Sequence, residues 1–377
     1  MKIALVHDWL TGMRGGEKCL EVLCEIFPEA AVHTLLHKKG SVSETISRMK
    51  IRTSFVQKLP FALNHYQKYL PLFPTAIEQF DLTGFDLVIS SSHCVAKGAI
   101  TSPETCHLCY CYTPMRYAWE MYYTYFSQDN VGPLVRWSIP FFMNYLRTWD
   151  EKSADRVDHF VAISENVKRR IQKHYRRDAE VIYPPVDTGY FRLSRNAGEY
   201  FLVVSALVPY KRIDLAILAF NELNLPLLVI GGGVEKKRLM KIAGKNVKFL
   251  DWQAPGELRR YYAECKALVF PGEEDFGIVP VEAQACGKPV IAYGRGGVTE
   301  SVRGAFPNQE ITSEHTGIFF CPQTKEALIE AVRCFESVKF DSQRIRENAL
   351  RFGRQVFKQK IREFIQAKFE EHNKNLA

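Results

Sequence analysis

The chain has no apolar run long enough to cross a bilayer. Its longest aromatic-apolar region, 131–146, is cut by Arg136 and two prolines, and falls short of the roughly 20 residues that a membrane helix needs. No signal peptide is expected either, because the apolar start at 3–6 runs straight into His7 and Asp8. No Gly-x-Gly-x-x-Gly follows the first strand-like run of either half with an acid some way beyond, which argues against a dinucleotide-dependent oxidoreductase. No nucleic-acid recognition motif accompanies the basic residues, so a nucleic-acid partner is not expected. No Asp-x-Asp pair follows a strand-like run, no internal repeat or low-complexity tract appears, and charge of one sign is scarce. The 50 Lys and Arg exceed the 42 Asp and Glu by only +8. That modest basic excess suits an anionic small molecule or an anionic membrane surface as well as it suits nucleic acid.

What is there is a chain of 377 residues, 46% hydrophobic and 24% charged, which is ordinary globular composition and comfortable for two domains. Its ten cysteines, with no export signal, point to reduced thiols in the cytosol. The densest cysteine run, Cys106-His107-Leu108-Cys109-Tyr110-Cys111, has ligand-like spacing, but no second Cys/His pair at zinc-site spacing accompanies it. Its alternation reads as a strand with Cys106 and Cys109 on opposite faces, a structural role.

Two halves are legible, each opening on a buried-type strand: KIALVHDW (2–9) and YFLVVSALV (200–208). Short apolar runs recur between helical stretches. In the first half they are DLVIS, HLCYCYT, HFVAIS and EVIYPP; in the second, PLLVIGGG, VKFLD, ALVFPG, PVIAYG and GIFF. Apolar strands alternating with helices predict α/β architecture with parallel sheets covered on both faces. The seam falls at 183–198, where two prolines precede a polar, irregular stretch. The expected domains are 1–185, 186–355 and a helical tail at 356–377. Periodicity predicts one helix over 344–369, with Phe352, Val356, Phe357, Ile361, Phe364 and Ile365 on one side. Two doubly wound domains are expected to turn the carboxyl ends of their sheets towards a ligand crevice.

The segment EEDFGIVPVEA (273–283) sits between the strand ALVFPG and a helix expected from about 279 to 286, which Gly287 closes. Glu274 then stands at a strand's carboxyl end and Glu282 one turn into a helix. The amides around Phe276, Gly277, Ile278 and Val279 open that helix and favour a phosphate. Carboxylates so placed accept hydrogen bonds from hydroxyls, so the set reads as acids for sugar hydroxyls and amides for a phosphate. Lys211, directly after a strand and opening a helix, is better placed for an anion than a surface lysine. Gly15 and Gly16, within Met13–Glu17, open a helix after the first strand and permit either close approach of an anion or only a tight turn. His93 follows the strand DLVISS.

Two acids with seven residues between them in a strand–loop–helix resemble the signature of the retaining GT-B glycosyltransferases of family 4. The context DFGIVPVEAQACGKPVIAYGRGGVTESV, together with SALVPYKRIDLAI, GGGVE, VKFLDW and HDWLTGMRGGE, extends the likeness in order along essentially the entire chain. SSSHCVAKG and CYTPMRYAWE resemble most the bacterial mannosyltransferases of O-antigen and exopolysaccharide assembly. The resemblance implies two Rossmann-like domains, an acceptor domain and a donor domain, with a nucleotide-sugar donor, GDP-mannose first, and a glycan or lipid-linked glycan acceptor. It implies Glu282 on the ribose, Glu274 by the donor sugar near the reacting carbon, Lys211 on the diphosphate and His93 beside the sugar. Arg116 and Trp119 are acceptor-side candidates. Many family members carry an arginine where this chain has Ala206; Arg212 or Arg14 is its candidate replacement. With no Asp-x-Asp pair, no metal or other cofactor is expected, and the leaving group falls to Lys211, arginines and helix N-termini. A UDP- or ADP-linked donor is the alternative.

Two surface features bear on location. The stretches 58–80 and 117–149 are rich in aromatic residues, the latter interrupted by Arg136 and Arg147, and Lys168, Arg169, Arg170, Lys173, Arg176 and Arg177 crowd one helix. They read as a solvated face or as peripheral attachment to anionic lipid at the inner face of the plasma membrane, and both readings stand.

Overall fold

The computed structural model describes residues 1–120, 133–194 and 198–376, and the side chains of 133–137, Arg136 among them, fall outside that description. The chain divides into two units, Met1–Pro185 with Phe357–Ala377, and Val186–Val356. No helix among the described residues is long and apolar enough to cross a membrane.

In the first unit seven parallel strands form one sheet: β1 (Ile3–His7), β2 (Ala31–Thr34), β3 (Lys50–Thr53), β4 (Leu87–Ser92), β5 (Cys106–Cys111), β6 (His159–Ala162) and β7 (Ala179–Val181), in the order β3-β2-β1-β4-β5-β6-β7. The second unit repeats the scheme with β8 (Phe201–Val204), β9 (Leu227–Ile230), β10 (Val247–Leu250), β11 (Leu268–Phe270), β12 (Val290–Tyr293), β13 (Gly304–Ala305) and β14 (Gly317–Phe320), ordered β10-β9-β8-β11-β12-β14-β13. Both sheets are thus doubly wound, as the alternating pattern predicts. β4, β5, β12 and β14 are buried along their whole length, and β12 and β14 accordingly read as near-continuous apolar runs. Each sheet carries its own core. In the second unit Phe201 meets Phe220 and Phe335 edge-on, at centroid distances of 5.0 and 5.6 Å.

Three strands have no counterpart in the runs picked out above. β3, KIRT, is an edge strand whose residues are mostly exposed; β13 has two residues; and β2, AVHT, holds a histidine in four residues. The tail also differs from the single helix expected over 344–369. It forms two helices, Ser342–Leu350 and Arg354–Leu376. Between them the backbone pairs with Val186, whose amide donates to the Phe352 carbonyl at 2.8 Å and whose carbonyl accepts from Arg354 at 3.1 Å. The stripe read as one apolar face therefore serves two cores. Phe352 packs on Phe276 at 5.3 Å in the second unit, and Phe357 packs on Tyr110 at 5.5 Å in the first. From Phe357 onward the tail groups with the first unit.

Two histidines of the first sheet are buried in the neutral form. Neither ring nitrogen of His33 has a hydrogen-bond partner among the described residues, and its ring meets Phe80 and Phe85. His107 bonds through Nε2 to the Ser90 hydroxyl at 2.9 Å. Burial pushes both down to about 4, below the ordinary value near 6.5. The unfolded chain therefore binds more protons than the folded one between those values, and stability falls as pH falls through that window. We expect roughly 1.4 kcal/mol per pH unit per histidine to be lost between about pH 6.5 and 4. Urea unfolding at a series of pH values tests this. His33→Leu should lower the slope by roughly 1.4 kcal/mol per pH unit within that window, and an unchanged slope would show that His33 is already protonated or exposed.

Candidate functional site

In each sheet the strand order reverses beside the first strand, and there the loops leaving the carboxyl ends diverge and open a crevice. In the first unit this point lies between β1 and β4. Asp8, the residue after β1, is fully buried. Its two carboxylate oxygens accept the main-chain N–H groups of His93 (2.7 Å), Cys94 (3.0 Å), Val95 (2.7 Å) and Ala96 (2.8 Å). The same carboxylate lies 2.9 Å from Nδ1 of His93. Burial by itself would push the Asp8 carboxyl up, but the His93 charge and hydrogen bonds outweigh it and hold it at about 2. His93 responds in kind. Burial acts against its charge, Asp8 acts for it, and the net effect raises its pKa. The His93 side chain is 32% exposed and stands edge-on to Trp9 at 4.5 Å.

Around this pair, buried His7 bonds through Nδ1 to the Ser91 hydroxyl at 3.1 Å. Tyr112 completes the chain, its hydroxyl 2.7 Å from Ser91 and donating to the Gly16 carbonyl at 2.9 Å. Gly15 and Gly16 begin the helix Gly15–Ile26. Buried Glu17 accepts the Arg14 amide at 3.0 Å, a carboxylate on the positive end of that helix. His93, Gly16 and Arg14 are thus gathered beyond the carboxyl ends of β1 and β4. Arg116 and Trp119 lie on the turn after β5. Trp119 is already engaged: its Nε1 donates to Asp150 at 2.8 Å and its ring stacks on His174 at 4.4 Å.

In the second unit the reversal lies between β8 and β11. Lys211 follows β8 and Glu274 follows β11, and the two form an ion pair with side chains only 18% and 15% exposed. Glu274 is fixed through its backbone too, pairing with Gly296, and its carbonyl accepts the Gly297 amide at 2.7 Å. Gly296 has φ +79°, and a Cβ there would lie 2.5 Å from the Glu274 carbonyl oxygen, so only glycine permits the contact. Gly277, at φ +93°, turns the chain into the helix Ile278–Ala285. The amides that open this helix have no partner within it. Ile278 and Val279 are partly exposed, whereas Phe276 is buried in the core. Glu282 lies one turn in, 4% exposed, and accepts the Tyr262 hydroxyl at 2.9 Å. The far end of the helix is capped by Arg346, which donates to the Ala285 carbonyl and, at 2.8 Å, to that of Phe191.

Arg212 is in the left-handed region at φ 52° and bonds to Asp214 at 3.3 Å, while Ala206 is exposed. Arg295, on the loop after β12, is 71% exposed and 4.0 Å from Glu273. Asp8, Tyr262 and Arg295 were not singled out from the sequence. Asp8 alone carried a usable signal, an acid directly after an apolar strand.

Comparison with known proteins completes the description. Residues 15–190 match the family described as Glycosyltransferase Family 4, and residues 192–352 match Glycosyl transferases group 1. The chain belongs to these glycosyltransferases, of GT-B architecture and family 4-like. It is 32% identical over 152 residues to an uncharacterized glycosyltransferase of Methanocaldococcus jannaschii, covering 38% of this chain and 42% of that protein. Against the O-antigen chain mannosyltransferase RfbU of Salmonella typhimurium it is 33% identical over 161 residues, 39% of this chain and 45% of RfbU. A D-inositol 3-phosphate glycosyltransferase of Mycobacterium marinum matches at 27% over 185 residues, covering 42% and 40%. The chain thus spans less than half the length of these curated relatives. Among solved structures, Anabaena HepE in complex with UDP superposes with TM-score 0.67 at 17% identity, covering 97% of this chain and 100% of that one. Sucrose-phosphate synthase from Thermosynechococcus elongatus gives 0.73 at 16%, covering 98% and 100%. At such identities these two share the fold.

The Asp8–His93 pair generates a direct expectation. With Asp8→Asn the imidazolium loses its counter-charge while burial still opposes it, so the His93 pKa should fall. NMR titration of the histidine ring protons measures this, and an unchanged His93 titration would remove Asp8 as its cause.

Proposed function

We propose that the chain is a retaining glycosyltransferase. It moves a sugar from a nucleotide donor onto a glycan or lipid-linked glycan acceptor in cell-surface polysaccharide synthesis. The observation that carries this reading is the Lys211–Glu274 pair at the strand-order reversal of the second sheet, beside the opening of the helix Ile278–Ala285. A lysine and a row of helix N-terminal amides suit a diphosphate. Glu282, oriented by Tyr262, suits ribose hydroxyls. Glu274 is assigned to the donor sugar, where positive charge builds as the bond to the leaving group loosens. Lys211, the helix amides and an arginine, Arg295 or Arg212, offset the leaving diphosphate without a bound ion. In the first unit His93, Gly15 and Gly16 take the donor-side roles that the family resemblance implies, and Arg116 an acceptor-side role. Trp119 is assigned to positioning, since its Nε1 is held by Asp150.

For the donor, GDP-mannose is our first choice, supported by the mannosyltransferase among the relatives. A UDP-sugar is the second reading, favoured by the neighbour solved with UDP. A panel of nucleotide sugars, run with excess chelator and followed by mass and NMR analysis of the product, tests the reading. Transfer from one donor with an α-linked product is expected. Lys211→Ala should lose a charge-assisted contact of about 1.5–3 kcal/mol, and so roughly tenfold to over a hundredfold in kcat/KM. Glu274→Gln should depress kcat, and Glu282→Gln should chiefly raise KM for the donor. A β-linked product, or transfer that needs added magnesium or manganese, would overturn the mechanism.

Peripheral attachment to the membrane at its cytoplasmic face is part of the proposal. Phe61 and Phe141 are 79% and 69% exposed, whereas half of the basic cluster is engaged internally. Lys168 pairs with Asp178, Arg170 with Glu120, and Arg177 bonds three carbonyls. Residues 121–132 of the aromatic stretch lie outside the described residues. Arg169, Lys173 and Arg176 remain exposed for anionic headgroups. Binding to anionic vesicles should therefore weaken as salt rises, and equal partitioning to neutral vesicles would refute the electrostatic attachment.

A further inference from the structure

The cysteine-rich strand gains in three dimensions what it lacks in sequence. At the amino end of β5, the Cys106 sulfur, one carboxylate oxygen of Asp158 and a ring nitrogen of His372 all lie within 4.8 Å of one another. Two of the three are fixed by the sheet. Cys106 is fully buried, its amide donating to the Asp86 carbonyl at 3.1 Å. Asp158 precedes β6 and is locked to the neighbouring strand: its amide donates to the His107 carbonyl at 2.9 Å, and its Oδ2 accepts the His107 amide at 2.7 Å. One Asp158 oxygen is left for another partner. The third donor, His372, comes from the last turns of the helix Arg354–Leu376, where Nε2 lies a long 3.3 Å from the Glu104 carbonyl.

The local charge favours a cation. The charges acting on the Cys106 sulfur are the carboxylates of Asp158 and Glu371. The basic groups nearby are already committed. Lys368 pairs with Glu371 at 2.7 Å, Arg156 bonds Glu78 and the Gly98 carbonyl at 2.6 and 2.8 Å, and Arg177 bonds the carbonyls of Ala154, Val157 and Asp158. An open pocket of about 340 Å³, lined by Thr101, Ser102, Thr105, Arg156 and Asp158 among others, gives access to the carboxylate.

We propose that Cys106, Asp158 and His372 bind a zinc ion that fastens the end of the helix Arg354–Leu376 to the amino ends of β5 and β6. A thiolate, an imidazole and a carboxylate form a donor set that suits zinc and leaves a fourth position for water. Bond lengths of roughly 2.0–2.3 Å place tetrahedral donors about 3.3–3.8 Å apart. Closing the site needs a shift of about 1 Å, which the terminal turns of a helix supply more readily than the sheet. On binding, the thiol proton leaves to solvent as the zinc–sulfur bond forms. The ion lies at the amino ends of the strands, whereas Asp8 and His93 stand at carboxyl ends, so it takes no part in transfer chemistry.

The test uses the full chain, stripped with chelator, dialysed and titrated with zinc by calorimetry. Bound metal is then counted by mass spectrometry, and cobalt substitution reads the thiolate bond through its charge-transfer absorption. One zinc per chain is expected, with a rise in Tm that exceeds any seen with magnesium. Cys106→Ser and His372→Ala should each lose the tight site and the Tm response, and Cys106→Ser should lose the cobalt–thiolate band. Cys321→Ser, which removes an exposed thiol elsewhere, should keep all three. Because His372 is at the surface end of a helix, its variant separates loss of the site from loss of the fold. Failure to bind zinc, or equal binding by both variants, would overturn the proposal.

Discussion

Both halves of the protein depend on one constraint of parallel sheets. Their strands cannot be joined by tight hairpins, so each connection crosses over, and the crossovers part company where strand order reverses. The chemistry-bearing residues of each unit stand on the loops beside that reversal. In the first unit the gap between β1 and β4 is bridged by a single carboxylate. Asp8 gathers four consecutive main-chain amides of the loop after β4, and so fixes the backbone that carries His93. A buried charge is tolerated there because every lone pair it presents has a donor.

The second unit uses its reversal differently. Lys211 and Glu274 face one another across β8 and β11, each partly exposed. Their backbones are held by other means, Glu274 through Gly296 and Gly297. The helix Ile278–Ala285 is short and gains little stability alone. It is held in place by a buried amide network in which Asn348 donates to Gln284 at 2.7 Å and to the Ser301 carbonyl at 2.8 Å. Glu282 is thereby set on a rigid element, with the Tyr262 hydroxyl directing one of its oxygens.

Much of this was legible in the chain. Strands buried on both faces are rich in apolar residues, so β1, β4, β5, β8, β9, β11, β12 and β14 declared themselves, whereas buried β2, with His33 and Thr34 in its four residues, did not. β3 and β13 did not, because an exposed edge strand and a two-residue strand need no such pattern. The motif residues Lys211, Glu274 and Glu282 stand next to strand ends or helix starts, where local signals are strong. Tyr262 gave no sign, since a tyrosine in a helix is ordinarily a packing residue and its partner is twenty positions away.

The sequence by itself determined the doubly wound class, the seam after Pro185 and the placing of the two acids, because periodicity and punctuation are local properties. Only the tertiary structure decided which residues meet. It broke the apolar stripe of the tail at Gly353 and gave Phe352 to one core and Phe357 to the other. It likewise brought His372 to Cys106 and Asp158. The reason is common to both cases. A helix's periodicity records that a face is buried, not against what, and a side chain's partner is fixed by how distant segments pack.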